Sequence, residues 1–277
     1  MIETVQNVAD TLHQEASKST DWIFHHILDG NELDFPPFGA IHLPHFSLFG
    51  IDVSITRHVV FMLLAAAFLI IVFSYAARSY RKNRVPKGAS NLLEILVVFV
   101  KDEIVVPTIG KGYERFLPFL LTVFFFILVC NFIGLVPYGA TATSNISITT
   151  ALALLSFFVI QIGGMMKNGV LGYFKGLIPH GVPAWLIPVM FVVEIMGLFT
   201  KPFALAIRLF ANMTAGHIVI LALIGLIFIL ETYFVSPVSV AFALFIYFLE
   251  ILVALIQAYI FTMLSSLFIG MAVHQEH

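Results

Sequence analysis

The sequence is short of the residues that make soluble sites. It has 1 cysteine in 277 residues, Cys130, set in an apolar run, so no internal disulfide framework can form. Charge is scarce too. Asp, Glu, Lys and Arg make up 11% of the chain and the net charge is −2, which excludes the basic surface of a nucleic-acid binder. No Lys or Arg occurs after Arg208. Neither H-E-x-x-H nor G-x-S-x-G occurs, so the signatures that would suggest an intramembrane protease are missing. No internal repeat with paired broken helices marks a secondary transporter. Residues 1–14 lack the basic n-region of a cleavable signal peptide, and the first hydrophobic span is expected to act as the targeting signal.

What the chain has is apolar length. It is 60% hydrophobic with 29 Phe and a mean hydropathy of +1.01, the composition of an all-α polytopic membrane protein. Residues 1–57 are soluble in character and form the expected extracytoplasmic segment. They hold Glu3, Asp10, Glu15, Asp21, Asp29, Glu32, Asp34 and Asp52, opposed by Lys18 and Arg57. Ile2–Leu12 suits a short amphipathic helix, and Pro36-Pro37 and Pro44 mark a loop or short extended pieces. His13, His25, His26, His42 and His45 show no paired ligand spacing, so solvated or interfacial histidines are expected and no metal or cofactor site.

The membrane domain is expected over 58–277. Residues 58–77 read as a first span, followed by Arg78, Arg81, Lys82, Arg84 and Lys87, a cluster that stays on the cytoplasmic side. Residues 91–106 alternate apolar positions with Glu94, Lys101, Asp102 and Glu103, and read as an amphipathic interfacial helix ended by Pro107 and Gly110. Two middle spans follow, 116–138 and 148–166. Asn131 lies deep in the first, as a helix-packing amide or part of a polar path. Gly163-Gly164 offers a tight packing point in the second. Lys111, Arg115, Lys167 and Lys175 continue the positive-inside bias, which puts the C-terminus on the cytoplasmic side. The sequons at Asn145 and Asn212 are chance matches in this membrane context.

Two longer tracts, 188–230 and 236–271, exceed a bilayer of roughly 30 Å, since a 43-residue helix is roughly 60 Å long. Either the first breaks at Lys201-Pro202, or both form a long, strongly tilted helical hairpin, which needs protein neighbours. Inside that hairpin sits Arg208, a permanent cation at a cost of roughly 2.5–3.5 kcal/mol at membrane depth, with no carboxylate within a turn or two of it. Asn212 shares its face at i+4 and Glu194 lies near that face; His217 lies on the other side. In the second tract Glu250 and Gln257 share a face. His217 and Glu250 suit each other as partners across the hairpin or as successive stations for a proton. Lys201 reads as a snorkelling interfacial lysine; Glu231 and Glu276 read as solvated tract ends.

Arg208-Leu-Phe-Ala-Asn212-Met-x-Ala-Gly216-His217, with Lys201-Pro202 upstream, resembles subunit a of the F-type ATP synthase membrane sector. So do Gln257-Ala-x-Ile-Phe, Arg115-Phe-Leu-Pro-Phe and Thr141-Ala-Thr-Ser-Asn145, and the resemblance runs through essentially all of the chain after residue 20. It implies a non-catalytic stator subunit with two offset proton half-channels, facing the ring of c subunits. It implies the b-subunit peripheral stalk and other synthase subunits as further partners, and the bacterial inner membrane as location. It places Arg208 on the family's essential arginine and Gln257 on the glutamine close to it. It places Asn212 and Glu194 on polar positions lining the path. His217 and Glu250 fall on a Glu and His pair that the best-known bacterial form carries in reverse order. Gly134 stands where some members have an acid. Proton rather than sodium is the expected ion, because His217 is a poor sodium ligand.

Overall fold

The computed structural model describes residues 29–30, 32–35, 39–44, 47–48, 51–52, 54–82, 88–136, 139–177, 183, 185–230 and 235–274. The expected helix over Ile2–Leu12, His13, His25, His26, His45, Pro36-Pro37, Arg84, Lys87, the hairpin turn from Glu231 and the tract end at Glu276 lie outside the described residues. Ahead of the membrane domain are two small antiparallel pairs. β1 (Glu32–Phe35) pairs with β2 (Gly39–His42), and β3 (Ser47–Leu48) with β4 (Ile51–Asp52). These are the short extended pieces of the proline-marked segment, and Gly39, at φ 92, takes the left-handed turn into β2.

Among the described residues five helices are long and apolar enough to cross a membrane. The first, α1, spans Arg57–Lys82. Its outer side leaves Leu63, Leu64, Ile70 and Ile71 exposed, while Ala65 and Ala76 are buried. Phe73 meets Phe125 edge to face at 4.9 Å.

The interfacial helix begins as α2, Ala89–Phe99. It then widens into a π-helical stretch, Val100–Val105, and closes as α3, Val106–Ile109. The sequence put residues 91–106 in the helix and Pro107 and Gly110 at its end; the helix runs through Pro107 and stops at Gly110, at φ 69. The reason is local. Pro107 has no N–H to give and its ring crowds the carbonyl four residues back, and a π-turn just before it opens the ladder there. The amphipathic division holds in the second half, where Val100, Ile104, Val105 and Ile109 are buried and Asp102 and Glu103 exposed; in α2 the apolar Leu92, Ile95 and Phe99 are exposed instead. Asp102, 3.2 Å from Lys101, pushes that ammonium above its ordinary range by hydrogen bonding and charge. Both groups are in water, so the pair adds little stability.

Helix α4, Leu117–Leu135, is the inner post of the fold. Leu120, Phe124, Ile127, Leu128 and Asn131 are all buried along it. Helix α5, Ile146–Asn168, starts at Asn145, whose side-chain oxygen accepts from the Ser147 amide at 2.9 Å. A short α6, Val170–Lys175, follows. Two long helices complete the domain: α7, Ile187–Leu230, of 44 residues, and α8, Val235–Val273, of 39 residues. Of the two alternatives at Lys201-Pro202, the continuous helix is the one observed, with Pro202 buried inside it. At 1.5 Å per residue α7 is about 66 Å long.

The two long helices are antiparallel, as three cross-contacts fix. Lys201 Nζ sits 5.2 Å over the Phe268 ring, Asn212 faces Gln257, and His217 faces Glu250. Helix α5 runs parallel to α8, with Asn168 donating to the Ala272 carbonyl at 3.0 Å. Helix α4 runs against α8, with the Tyr247 hydroxyl donating to the Leu135 carbonyl at 2.9 Å. Glycines permit the tightest approaches. A Cβ on Gly270 would strike the Thr108 carbonyl of α3, and one on Gly164 would lie 2.5 Å from the Tyr173 ring. The expected packing point at Gly163-Gly164 is thus filled by Phe116 on one side and Tyr173 on the other. One end of the bundle collects Lys111, Arg115, Lys167 and Lys175; the start of α1, the 142–144 turn and the middle of the hairpin lie toward the other.

Candidate functional site

The charged and polar residues singled out in the hairpin fall into three groups along α7. Toward its C-terminal half, His217 Nδ1 lies 2.8 Å from Glu250 Oε1 of α8. Glu250 is 4% exposed. The contact is one of distance rather than alignment: neither carboxylate oxygen has a donor in hydrogen-bond geometry among the described residues. Gly216 makes the approach possible, since a Cβ there would stand 2.6 Å from Glu250 Oε1. The other ring nitrogen of His217, Nε2, meets the Thr141 hydroxyl. A side chain at 134 would collide with that same threonine. The space that an acid at 134 would need is therefore taken by Thr141, whose hydroxyl stands against His217.

Asn131 joins this end. It is fully buried, accepts from the Thr143 hydroxyl at 2.6 Å and donates to the Ala254 carbonyl at 3.4 Å. Its amide thus ties α4 to the 142–144 turn and to α8, and both of its sides are satisfied.

The middle group is Arg208, Asn212 and Gln257. Arg208 is exposed on α7 and no carboxylate pairs with it among the described residues. Asn212, one turn on, donates to Gln257 Oε1 at 2.9 Å, and Gln257 is 2% exposed. The face around Arg208 is unusually low. Ala204, Ala211 and Ala215 are exposed with it, so nothing taller than a methyl group shields the guanidinium on those sides.

The third group opens toward the N-terminal half of α7. Glu194 and Lys201 line a cleft of about 170 Å³, with Gln161, Tyr173 and Phe268 on the facing walls. Burial pushes the Tyr173 phenol up, and a hydrogen bond with Gln161 works the other way. Lys201 is half-buried and stacks on Phe268, so it extends along the cleft wall instead of only snorkelling away from it.

The structure thus brings together His217 with Glu250 and Asn212 with Gln257, sets Glu194 and Lys201 on one cleft without pairing them, and keeps the three groups apart. Asn131 reaches the first pair only through its neighbours in the 141–144 turn. Two contributors were passed over in the sequence. His58 opens α1 with Asp29 at 2.7 Å on Nδ1 and Ser144 at 3.2 Å on Nε2, and it is 2% exposed. Thr141 entered only within the Thr141-Ala-Thr-Ser-Asn145 stretch that carries the resemblance, with no role of its own. A histidine at the start of an apolar span was the available signal for the first; for the second the signal was its place in the Thr141-Ala-Thr-Ser-Asn145 stretch.

Comparison with known proteins gives the same assignment throughout. Residues 59–270 match the family described as ATP synthase A chain. The chain is 57% identical over 258 residues to ATP synthase subunit a of Chloroherpeton thalassium, covering 91% of this chain and 77% of that protein. It is 50% identical to ATP synthase subunit a 2 of Chlorobaculum tepidum, over 98% of this chain and 82% of that one. It is 52% identical to ATP synthase subunit a of Myxococcus xanthus, over 82% of this chain and 75% of that one. With five apolar helices long enough to span a bilayer and this extent of match, the chain is a multi-pass membrane protein and belongs to the ATP synthase subunit a family.

Proposed function

We propose that this chain is the stationary proton-conducting subunit of an F-type ATP synthase, with two offset half-channels kept apart by Arg208 and a ring of c subunits running past its exposed face. It takes no part in the hydrolytic or synthetic chemistry. The observation that carries the reading is the order of groups along α7. Arg208 lies nine residues from His217, about 13 Å, and fourteen from Glu194, about 21 Å, at 1.5 Å per residue. The polar groups to either side therefore open at different depths, and the cation between them is exposed with small residues around it.

The chemistry follows from desolvation. A protonated carboxyl on the ring is neutral and can face lipid; an ionised one cannot. Protons from outside pass His217 and Glu250 and neutralise a ring carboxylate. Nearly a full turn later that group reaches the Glu194 cleft and releases its proton inward. Arg208 holds the passing carboxylate in its ionised form and repels a free proton, which prevents a direct leak. Asn212 and Gln257 hold each other, and through the α7 turn they hold the Arg208 backbone in register. Each charge carried across yields about 2.3 kcal/mol per 100 mV, delivered as rotation to a catalytic head elsewhere in the assembly.

The basic end of the bundle is the cytoplasmic one by the positive-inside rule, which puts residues 1–57 outside and the C-terminus inside, in a bacterial inner membrane. The b-subunit stalk and the other synthase subunits complete the assembly. Arg208→Ala tests the function directly: proton-driven ATP synthesis in vesicles falls to background while the chain stays inserted and co-purifies with the complex. Synthesis near the wild-type rate would reject the proposal.

A further inference from the structure

The geometry points to Asp29 and His58 as a proton-loading pair that feeds His217 from the outer surface, an inference that rests on the function proposed above. The contacts line up from Asp29 to Glu250 across five separate stretches of chain, with one gap, between the Ser144 hydroxyl and the hydroxyl of Thr141. Asp29 Oδ1 is 2.7 Å from His58 Nδ1. The Asp29 side chain is 30% exposed and the His58 side chain 3%, so the pair runs from water into the protein within one contact. On its inner side His58 Nε2 is 3.2 Å from the Ser144 hydroxyl. Ser144 belongs to the 3-10 turn Ala142–Ser144, and its hydroxyl donates to the Thr141 carbonyl at 2.8 Å. The residue at the start of that turn, Thr141, places its hydroxyl on His217 Nε2. His217 Nδ1 then faces Glu250.

Two details favour a titrating role over a structural one. First, both ring nitrogens of His58 are engaged, one with a carboxylate that reaches water and one with a hydroxyl that does not. With the Ser144 proton given to the Thr141 carbonyl, the ring donates to both partners when it carries two protons; when it is neutral with its proton on Nδ1, the Ser144 hydroxyl can turn and donate to Nε2, so both protonation states keep their partners. Secondly, Asn145 Nδ2 donates to Asp29 Oδ2 at 2.8 Å. The carboxylate is thereby fixed at the mouth with one oxygen on Asn145 and one on His58. The charged or titratable groups that bear on His58 are Asp29, its neighbour Arg57, and His217 on α7.

The transfer balances as a shuttle. A proton from outer water is taken up on the Asp29 side at Nδ1. The proton on Nε2 passes to the Ser144 oxygen as Ser144 gives up its own hydroxyl proton; the crossing from there to the Thr141 hydroxyl is assigned to an intervening water, and Thr141 passes a proton to His217 Nε2. The ring, now neutral with its proton on Nδ1, turns over about its Cβ–Cγ bond and presents the bare nitrogen to Asp29 again.

The test uses the whole synthase in sealed vesicles, with ATP synthesis measured against the pH of the compartment that the acidic N-terminal segment faces. His58→Gln keeps hydrogen-bonding groups for Asp29 and Ser144 but cannot carry a proton. Its expected effect is a loss of about tenfold at an outer pH of about 8, shrinking toward wild type at about pH 6, where free protons are abundant enough to reach His217 unaided. Asp29→Asn, which leaves the helix start intact, is expected to show the same pH dependence with a smaller loss. Wild-type rates across the range for both variants would overturn the inference. So would a loss that is equal at every pH, because a spacer that merely holds the 142–144 turn has no reason to respond to proton supply. Arg208→Ala run alongside separates the two readings: if it is inactive while His58→Gln is normal, only the loading pair falls, and if it stays active the proposed function itself falls.

Discussion

Gly216 shows how a single missing side chain shapes the proton path. The carboxylate of Glu250 occupies the space beside it, 2.6 Å from where a Cβ would stand, and that placement puts Oε1 within 2.8 Å of His217. Gly216→Ala is expected to push the carboxylate off the imidazole, since a carboxylate at the end of a flexible side chain gives way more readily than the helix backbone. Proton pumping, followed by fluorescence quenching, should fall about tenfold, equivalent to about 1.4 kcal/mol on the limiting step, with the complex still assembled. Exchanging the pair, His217→Glu with Glu250→His, should pump better than either single change, because one acid and one imidazole remain in contact; a double variant no better than the singles would argue against coupling. Asn131→Ala is expected to destabilise the purified complex by about 1–3 kcal/mol, by leaving the Thr143 hydroxyl and the Ala254 carbonyl without their partner. A lower melting temperature with unchanged insertion would show it. At this scale the sequence was legible where chemistry conflicts with its surroundings. Arg208, Glu250 and Gln257 stand out because they are polar in oil. His58 and Thr141 did not stand out, because their partners lie 86 and 76 residues away and no local pattern encodes such a contact.

Among the elements, the interfacial helix was half legible. The buried face of its second half could be counted from the sequence, and Gly110 marked its end, but the passage through Pro107 could not be foreseen, because it depends on the π-stretch Val100–Val105. Hydrophobic periodicity carries no record of which hydrogen-bond ladder absorbs a proline. The same gap left the choice at Lys201-Pro202 open until the continuous α7 resolved it. The end of the interfacial helix is held by a backbone contact: Gly270 of α8 lies against the Thr108 carbonyl, and the Thr108 and Ser266 hydroxyls meet at 2.5 Å. Gly270→Ala should therefore force α3 off α8. Overpacking of this kind costs about 1–3 kcal/mol, and here the obstacle is backbone, which cannot rotate away. The expected result is faster proteolysis within residues 100–115 of the detergent-purified complex, compared with wild type; an unchanged digestion pattern would mean that the contact is not tight.

For the molecule as a whole, the central feature is a cation without a counter-ion of its own. The bundle packs its interior around α4 and α8, satisfies Asn131, and pairs His217 with Glu250. Arg208 is left exposed on the long side of α7 with alanines about it and no carboxylate partner among the described residues. A permanent guanidinium at membrane depth is costly enough that this state is sensible only if another subunit brings the opposite charge. A map of the assembled synthase at side-chain resolution measures this most directly. The account predicts that the guanidinium of Arg208 lies within salt-bridge reach of a carboxylate on a neighbouring ring subunit, with the Glu194 cleft and the His217–Glu250 pair opening to opposite sides of it. A guanidinium bonded only to groups of its own chain, or standing in bulk water, would contradict it.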